Sequence, residues 1–143
     1  MIQFNNTVTP RFNNITEDNI DFLENLYDFK FPKELRLFYL TYIGGILEKN
    51  NFMLDNETYD FHGFYSIKEG YATLNEKMRL NYTDDWWPKR LIPFGFDSGG
   101  EDYCFDKETE EIYYLNSELE DENGNVFVKY LCSNFAEFIN CMV

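Results

Sequence analysis

Four strand-like stretches follow one another between Leu91 and Leu131, with short polar turns between them. They cover Leu91 to Phe96, Asp102 to Asp106, Glu111 to Asn116 and Val126 to Leu131. Each turn is too short to contain a crossover helix, and turns of this length join antiparallel neighbours. The run therefore predicts an antiparallel sheet and excludes a doubly wound parallel fold.

Two helical patterns precede this sheet. Thr16 is an N-cap candidate, and apolar residues at helical spacing continue from Ile20 to about Asp28. Pro32 suits the first position of a second helix, and Gly44 and Gly45 are suited to end it. The two helices are joined so closely that we expect them to be neighbours.

Further signals lie between the second helix and the sheet, and after it. Ile46-Leu47 and Phe52 to Leu54 flank a polar run and predict a hairpin, and Phe61 to Tyr65 is a short strand candidate. A capping-box sequence at Ser66 predicts a third helix that reaches about Leu80.

Ser133 is placed to cap a last helix, with Phe135, Phe138, Ile139 and Met142 on one face. The fold class predicted is α+β, with a twisted antiparallel sheet and helices at the N-terminus, in the middle and at the C-terminus. Residues 1–143 are expected to form a single domain, in which 1–15 are an irregular lead-in.

The composition is compatible with such a domain. Aromatic residues make up 20% of the chain, which favours a packed core over disorder despite the charge. No apolar run reaches the length of a membrane span and no signal-peptide pattern is present, so neither secretion nor membrane insertion is predicted. Three widely spaced cysteines, Cys104, Cys132 and Cys141, are interpreted as buried apolar residues in a reducing cytoplasm.

The negative charge is concentrated in one segment. The chain has a net charge of −14, and residues 97–122 contain eleven acidic residues against Lys107 alone, a net charge of −10. Such a field repels nucleic acid and anionic membranes and attracts a basic protein. Solubilisation is the alternative explanation, but the clustering favours a surface for a basic partner.

Residue patterns typical of enzymes are missing. The single histidine, His62, lies in an aromatic stretch and is interpreted as structural, and no nucleophile, zinc or phosphate-loop motif occurs. The Asp97 to Asp102 segment lacks the spacing of a calcium loop, so a hairpin turn with a positive φ at Gly99 or Gly100 is predicted. No cofactor and no metal are predicted.

Adjacent tryptophans, Trp86 and Trp87, follow two aspartates and precede Pro88. Neighbouring side chains cannot both face one core, so one is expected inside and the other near the surface. An exposed tryptophan is typical of a binding hot spot, whereas a large aromatic residue also serves to cover a small core. Both interpretations remain open.

Three segments together resemble the SUKH superfamily. Phe31-Pro32-Lys33-Glu34-Leu35 leading to Tyr42-Ile43-Gly44-Gly45 resembles its opening motif. Leu91-Ile92-Pro93-Phe94-Gly95, followed by Asp97, Gly99-Gly100 and Asp102-Tyr103-Cys104-Phe105-Asp106, resembles its central segment. Ser133-Asn134-Phe135-Ala136-Glu137-Phe138-Ile139 is similar to its closing helix.

The resemblance implies an α+β immunity protein that binds a bacterial toxin, typically a nuclease, and performs no chemistry itself. A regulatory or scaffold domain of the same superfamily is the main alternative, and a hydrolase or metal-binding protein is a lesser one. The oligomeric state is not predicted. The partner-binding residues that we predict are Asp97, Glu101, Asp102, Glu118, Glu120, Asp121, Glu122, Trp86 and Trp87.

Overall fold

The computed structural model describes residues 4–9, 15–42, 45–67 and 73–143. Its helices are α1 (Glu17–Tyr27), α2 (Lys33–Tyr42), α3 (Leu74–Thr83) and α4 (Phe135–Asn140). Its strands are β1 (Val8–Thr9), β2 (Ile46–Leu47), β3 (Asn51–Leu54), β4 (Glu57–Asp60), β5 (Gly63–Phe64), β6 (Leu91–Phe96), β7 (Asp102–Asp106), β8 (Ile112–Glu120) and β9 (Val126–Cys132).

The main sheet contains five strands in the order β5-β6-β7-β8-β9, and every neighbouring pair is antiparallel. Two small sheets, β1-β2 and β3-β4, accompany it. Helices precede, interrupt and follow this sheet along the chain. The predicted α+β class with an antiparallel sheet is confirmed.

The two faces of the main sheet have different coverings. Phe94, Tyr103 and Phe105 belong to one large core with residues of α1, α2 and α4, in which Phe94 packs edge-on against Phe135 at a centroid distance of 5.6 Å. Cys104 lies between Tyr103 and Phe105 in β7 and so faces the other way. On that side it joins Trp87, Leu91 and Leu115 in a second, smaller cluster.

α1 and α2 are joined through a buried carboxylate. Glu24 in α1 is buried, accepts a hydrogen bond from the Phe31 N–H at 2.8 Å and lies 3.2 Å from Arg36 of α2. Thr16 is the N-cap of α1, as predicted, whereas Leu26, placed on the apolar stripe, is exposed. A salt-bridged glutamate therefore occupies part of the face where apolar periodicity alone was expected.

Two predicted helix starts are wrong. The N-cap of α3 is Thr73 and not Ser66, which forms a parallel bridge with Thr73 instead. Residues 68–72, part of the predicted helix, lie outside the described residues. α4 is capped by Asn134, which accepts from the Glu137 N–H at 2.9 Å, while Ser133 bonds the Glu137 side chain.

The predicted hairpin between Ile46-Leu47 and Phe52 to Leu54 is also wrong. β2 pairs with β1, so the lead-in that was expected to be irregular contains a short strand. β3 pairs with β4 around Asp55 and Asn56, whose φ values of 53° and 64° match the two-residue turn that suits a hairpin. The polar run at 48–50 is a connection between sheets.

Two glycines are explained by close contacts. A Cβ on Gly45 would lie 2.2 Å from the Thr9 carbonyl oxygen, because β1 passes directly over it. A Cβ on Gly95 would lie 2.4 Å from the Phe61 ring. Ile43 and Gly44, which belong to the same predicted helix end as Gly45, lie outside the described residues.

Candidate partner-binding surface

The two acidic turns lie at the same end of the main sheet. Strands β6 to β9 are sequential antiparallel neighbours, so the β6–β7 turn and the β8–β9 turn share one end, and the β7–β8 turn lies at the other. Glu101 connects them, because its carboxylate accepts hydrogen bonds from the Ser117 backbone N–H at 2.7 Å and from its hydroxyl. We call residues 97–101 and 117–125 the acidic end.

The aspartates of the acidic end hold the turns together. Asp97 Oδ1 accepts hydrogen bonds from the N–H groups of Gly99 at 2.9 Å and Glu101 at 2.8 Å. Asp121 Oδ1 does the same for Asn123 at 2.8 Å and Asn125 at 3.0 Å. These carboxylates are turn-forming groups, which is the usual role of aspartate in this position.

The prediction that the β6–β7 turn uses a glycine with positive φ is confirmed at Gly100, where φ is +87°. Gly124 in the β8–β9 turn has a φ of +78°. Both turns therefore combine an aspartate that binds backbone N–H groups with a glycine in the left-handed region. Neither turn requires a bound cation to explain its geometry.

Asp102 is buried, which corrects its placement in a solvent-facing turn. It lies in β7 with 3% of its surface exposed, forms a 2.9 Å ion pair with Lys77 of α3, and accepts a hydrogen bond from the Tyr65 hydroxyl. Burial raises the pKa of Asp102, and the attraction to Lys77 offsets that rise only in part. A partner cannot reach this carboxylate in the folded chain.

Three glutamates remain available. Glu118, Glu120 and Glu122 are exposed, and their carboxylates make no hydrogen bond or ion pair within the part of the chain that the structure describes. All three lie at the tip of the β8–β9 hairpin, where β8 extends four residues beyond its predicted end at Asn116. Of the predicted acidic binding residues, these are the ones free to contact a partner.

The acidic end continues onto β4, which the sequence did not connect to it. The Ser98 N–H donates to Asp60 Oδ2 at 2.9 Å, and the Tyr103 hydroxyl donates to the Asp60 carbonyl at 2.6 Å. Burial and the Asp97 carboxylate raise the pKa of Tyr114. Burial and the Glu57 carboxylate raise the pKa of Tyr59 to about 12. These tyrosines are thereby kept neutral beside the carboxylates.

The two tryptophans have opposite environments, as predicted. Trp87 is 3% exposed, donates its indole N–H to the Leu91 carbonyl at 2.9 Å and lies under the Lys77 ammonium, 5.0 Å from the ring centroid. Trp86 is 48% exposed. Trp87 therefore covers the smaller core cluster, and Trp86 is the tryptophan that a partner can contact.

A groove joins Trp86 to the hairpin tip. The groove has a volume of about 470 Å³ and lies between the 85–90 turn and the β8–β9 hairpin. Its lining includes Trp86, Pro88, Asp121, Val126 and Val128. The acidic turn and the exposed tryptophan were weighed as competing binding surfaces, but they border the same groove.

Groups with catalytic potential are dispersed. His62 is exposed, and its ring lies 5.8 Å from that of Phe96. Cys104 and Cys132 are buried and burial raises the pKa of each thiol, whereas Cys141 is exposed, which corrects the prediction of three buried cysteines. Among the described residues, no group of three or more metal-binding side chains is assembled. No described helix is both long and apolar enough to cross a membrane.

Comparison with known families decides the assignment. The family model of SMI1 / KNR4 (SUKH-1) matches residues 14–141. The chain belongs to this family. Membership agrees with the resemblance stated from the three motifs and is consistent with the SUKH superfamily of immunity proteins.

One relative of this SUKH-1 chain comes from a prophage. The chain is similar to the "SPbeta prophage-derived uncharacterized protein YokK" of Bacillus subtilis (strain 168), with 26% identity over 98 residues. The alignment covers 68% of this chain and 49% of the relative. The chain therefore spans about half the length of the curated relative that it matches.

The motif residues of this SUKH-1 chain are mostly structural. Phe94 is fully buried, Gly95 admits the Phe61 ring, and a β-bulge between Pro93 and Gly95 interrupts the register with β7. Asp97 closes the adjoining turn. The motifs thus report the fold, while the candidate binding groups, Trp86 and the three glutamates, lie outside them.

Proposed function

We propose that this protein is an immunity protein that binds a cognate bacterial toxin, a basic nuclease, and occludes its substrate-binding surface. The observation that carries the proposal is the arrangement at the groove. The exposed Trp86 and Asp121 of the β8–β9 turn line the groove, and three exposed glutamates without partners among the described residues lie at the same hairpin tip. An aromatic anchor with a charged rim is typical of protein interfaces.

The charge pattern supports a cationic partner. A nuclease binds phosphates through lysine and arginine side chains, so its substrate surface is positive. The net charge of −14 attracts such a surface over a long range and accelerates association. Glutamates at the hairpin tip would occupy the positions that phosphates take in the substrate.

The proposal requires no chemistry from this chain. His62 lies apart from the groove, so replacement by glutamine is expected to leave protection intact. Survival of cells that express the toxin measures this directly. A folded His62→Gln variant that failed to protect would contradict neutralisation by occlusion.

The main test uses charge reversal at the tip. We expect the triple variant Glu118→Lys, Glu120→Lys, Glu122→Lys to associate with the cognate toxin domain at least tenfold more slowly at low salt. The difference should shrink as salt rises, because exposed charges are screened over about 8 Å at physiological ionic strength. Stopped-flow association rates at two salt concentrations provide the measurement.

A matched control is available at the other end of the sheet. Glu48, Glu108 and Glu110 are also exposed, and the last two lie in the β7–β8 turn. Reversing these three changes the net charge equally but leaves the hairpin tip intact. Equal slowing in both triple variants would show that total charge alone drives association and would contradict the assignment of the surface.

A further inference from the structure

The edge of the main sheet next to the groove is unpaired. β9 is the last strand in the order, and it pairs with β8 alone among the described residues. Its seven residues, Val126–Cys132, leave a row of backbone N–H and C=O groups on the outer side. Such a row is a template for another extended chain.

One face beside this edge carries exposed apolar side chains, with Arg90 and Asp121 also lining the groove. Val126 and Val128 line the groove together with Trp86 and Pro88. Further along the same strand, Tyr130 is 45% exposed and packs edge-on against Tyr113 at a centroid distance of 5.7 Å. Every second residue of a strand added here would face this apolar surface.

The opposite face carries Lys129 together with two exposed carboxylates. Lys129 follows Val128 and so projects to the other face, where it forms a 2.9 Å ion pair with Asp55 at the β3–β4 turn. Asp55 and Glu57 are both exposed. The alternate residues of an added strand would face these carboxylates.

We propose that β9 accepts an extended segment of the partner as a sixth strand, in which apolar residues alternate with lysine or arginine. The apolar residues enter the groove beside Trp86, and the basic residues face Asp55 and Glu57. The backbone pairs with β9, in the recognition mode of strand addition. This inference rests on the proposed function, since it specifies how the cationic partner is held.

A second copy of this chain is a poorer occupant. Two copies paired through β9 would bring together two chains of −14 each, and each would carry its own acidic end. The net charge of the chain therefore favours a basic strand and opposes self-association. Concentration-dependent slowing of β9 amide exchange in the free protein would show self-pairing and would overturn the proposal.

The test measures amide hydrogen exchange along β9 by NMR. The probe is a synthetic peptide that alternates lysine with valine. In the free protein, alternate β9 amides are bonded to β8 and the others are open. We expect the peptide to slow exchange of the open set at least tenfold. A peptide of the same composition with its lysines and valines in separate blocks should have little effect, and so should one that alternates glutamate with valine.

Two variants test the two faces separately. Trp86→Ala removes an exposed anchor, and Asp55→Asn removes a charge while keeping a residue that tolerates the positive φ. Each should weaken peptide binding severalfold without lowering the melting temperature by more than a few degrees. Equal slowing by the alternating and the block peptide, or peptide binding that leaves the β9 amides unchanged, would overturn the inference.

The two proposals can fail separately. If the toxin domain binds and is neutralised while β9 amides exchange as in the free protein, the strand-addition inference is wrong and the proposed function stands. If the alternating peptide protects β9 but no cationic toxin domain is neutralised, the edge is a docking site and the immunity function is wrong.

Discussion

The aspartates of the acidic segment and the glutamates at the tip of its hairpin have opposite roles. Asp97, Asp106 and Asp121 each bind backbone N–H groups of the turn that follows them, and Asp102 is buried with Lys77. Asp106 also forms a 3.1 Å ion pair with Arg90. Glu118, Glu120 and Glu122 have no such partners among the described residues.

The difference follows from side-chain length. An aspartate carboxylate reaches the N–H groups two or more residues ahead of it and so closes its own turn. The longer glutamate side chain does not close a turn in this way: Glu101 accepts hydrogen bonds from Ser117 in the next hairpin, and the three glutamates at the hairpin tip extend into solvent. Aspartate charge in residues 97–122 is thus used within the fold, and glutamate charge at the hairpin tip is available to a partner. Net charge alone does not separate these two uses.

The largest effect is expected at Asp102. Asp102→Ala leaves the Lys77 ammonium and the Tyr65 hydroxyl without their shared partner, and breaking a buried pair in this way costs about 3 kcal/mol. Urea unfolding measures the loss. Glu120→Ala is the matched comparison and should change the free energy of unfolding by less than about 0.5 kcal/mol. Equal losses would remove the distinction between the two groups.

The contribution of the Asp102 carboxyl to the free energy of unfolding should depend on pH, and the direction follows from its raised pKa. Because the pKa of Asp102 is raised in the folded chain, its contribution to stability is fully present below the unfolded pKa of 3.8 and is lost as pH rises through the folded value. Asp102→Asn removes this titrating group, whose pKa the Lys77 ammonium lowers and the Glu101 carboxylate raises. The difference in unfolding free energy between wild type and Asp102→Asn should therefore shift in favour of the variant as pH rises across this range.

A smaller effect is expected at Asp97. Asp97→Ala removes the acceptor for Gly99, Glu101 and the Tyr114 hydroxyl, and we expect a loss of about 2 kcal/mol. Asp97→Asn keeps the Oδ1 acceptor and should recover most of this. Thermal unfolding of the two variants provides the measurement. An asparagine variant as unstable as the alanine variant would show that the charge, rather than the turn geometry, is what matters.

Local patterns predicted the elements that depend on local contacts. The strand bounds of β6 and β7 are as predicted, because apolar residues end at turns marked by Asp and Gly. β1 and β2 are joined by pairing across some 40 residues, which no local pattern shows. The β3–β4 turn did have a signal, since Asp55-Asn56 tolerates positive φ, but the longer polar run beside it was interpreted as the turn.

At the candidate site, too, local sequence patterns did not show which distant residues come into contact. The sequence identified the acidic segment and predicted that one of the two tryptophans is exposed. It did not show which carboxylates are hydrogen-bonded or ion-paired within the fold. Asp102 is the neighbour of the half-buried Glu101, and its own burial depends on contacts from distant parts of the chain, Lys77 of α3 and Tyr65. The meeting of Trp86 with the hairpin tip depends on how the 85–90 turn packs against the β8–β9 hairpin, and residue spacing does not show this.

The smallest effect on stability is expected where the effect on binding is largest. Each of the reversals Glu118→Lys, Glu120→Lys and Glu122→Lys changes the net charge by two, so the triple variant carries −8 instead of −14. None of these side chains has a partner among the described residues, and reduced self-repulsion favours the folded state, so the free energy of unfolding should change by less than about 0.5 kcal/mol.

The sharpest contrast replaces one residue of that triple by its neighbour. Reversing Glu118, Glu120 and Asp121 gives the same net charge but removes the acceptor for the Asn123 and Asn125 N–H groups. We expect this variant to lose about 1 kcal/mol, the contribution of the lost turn hydrogen bonds. Faster amide exchange at Asn123 and Asn125 should accompany the loss. Identical unfolding curves for the two triple variants would mean that the aspartate at the turn is as free as the glutamates around it, and the division of the acidic segment by side-chain length would be wrong.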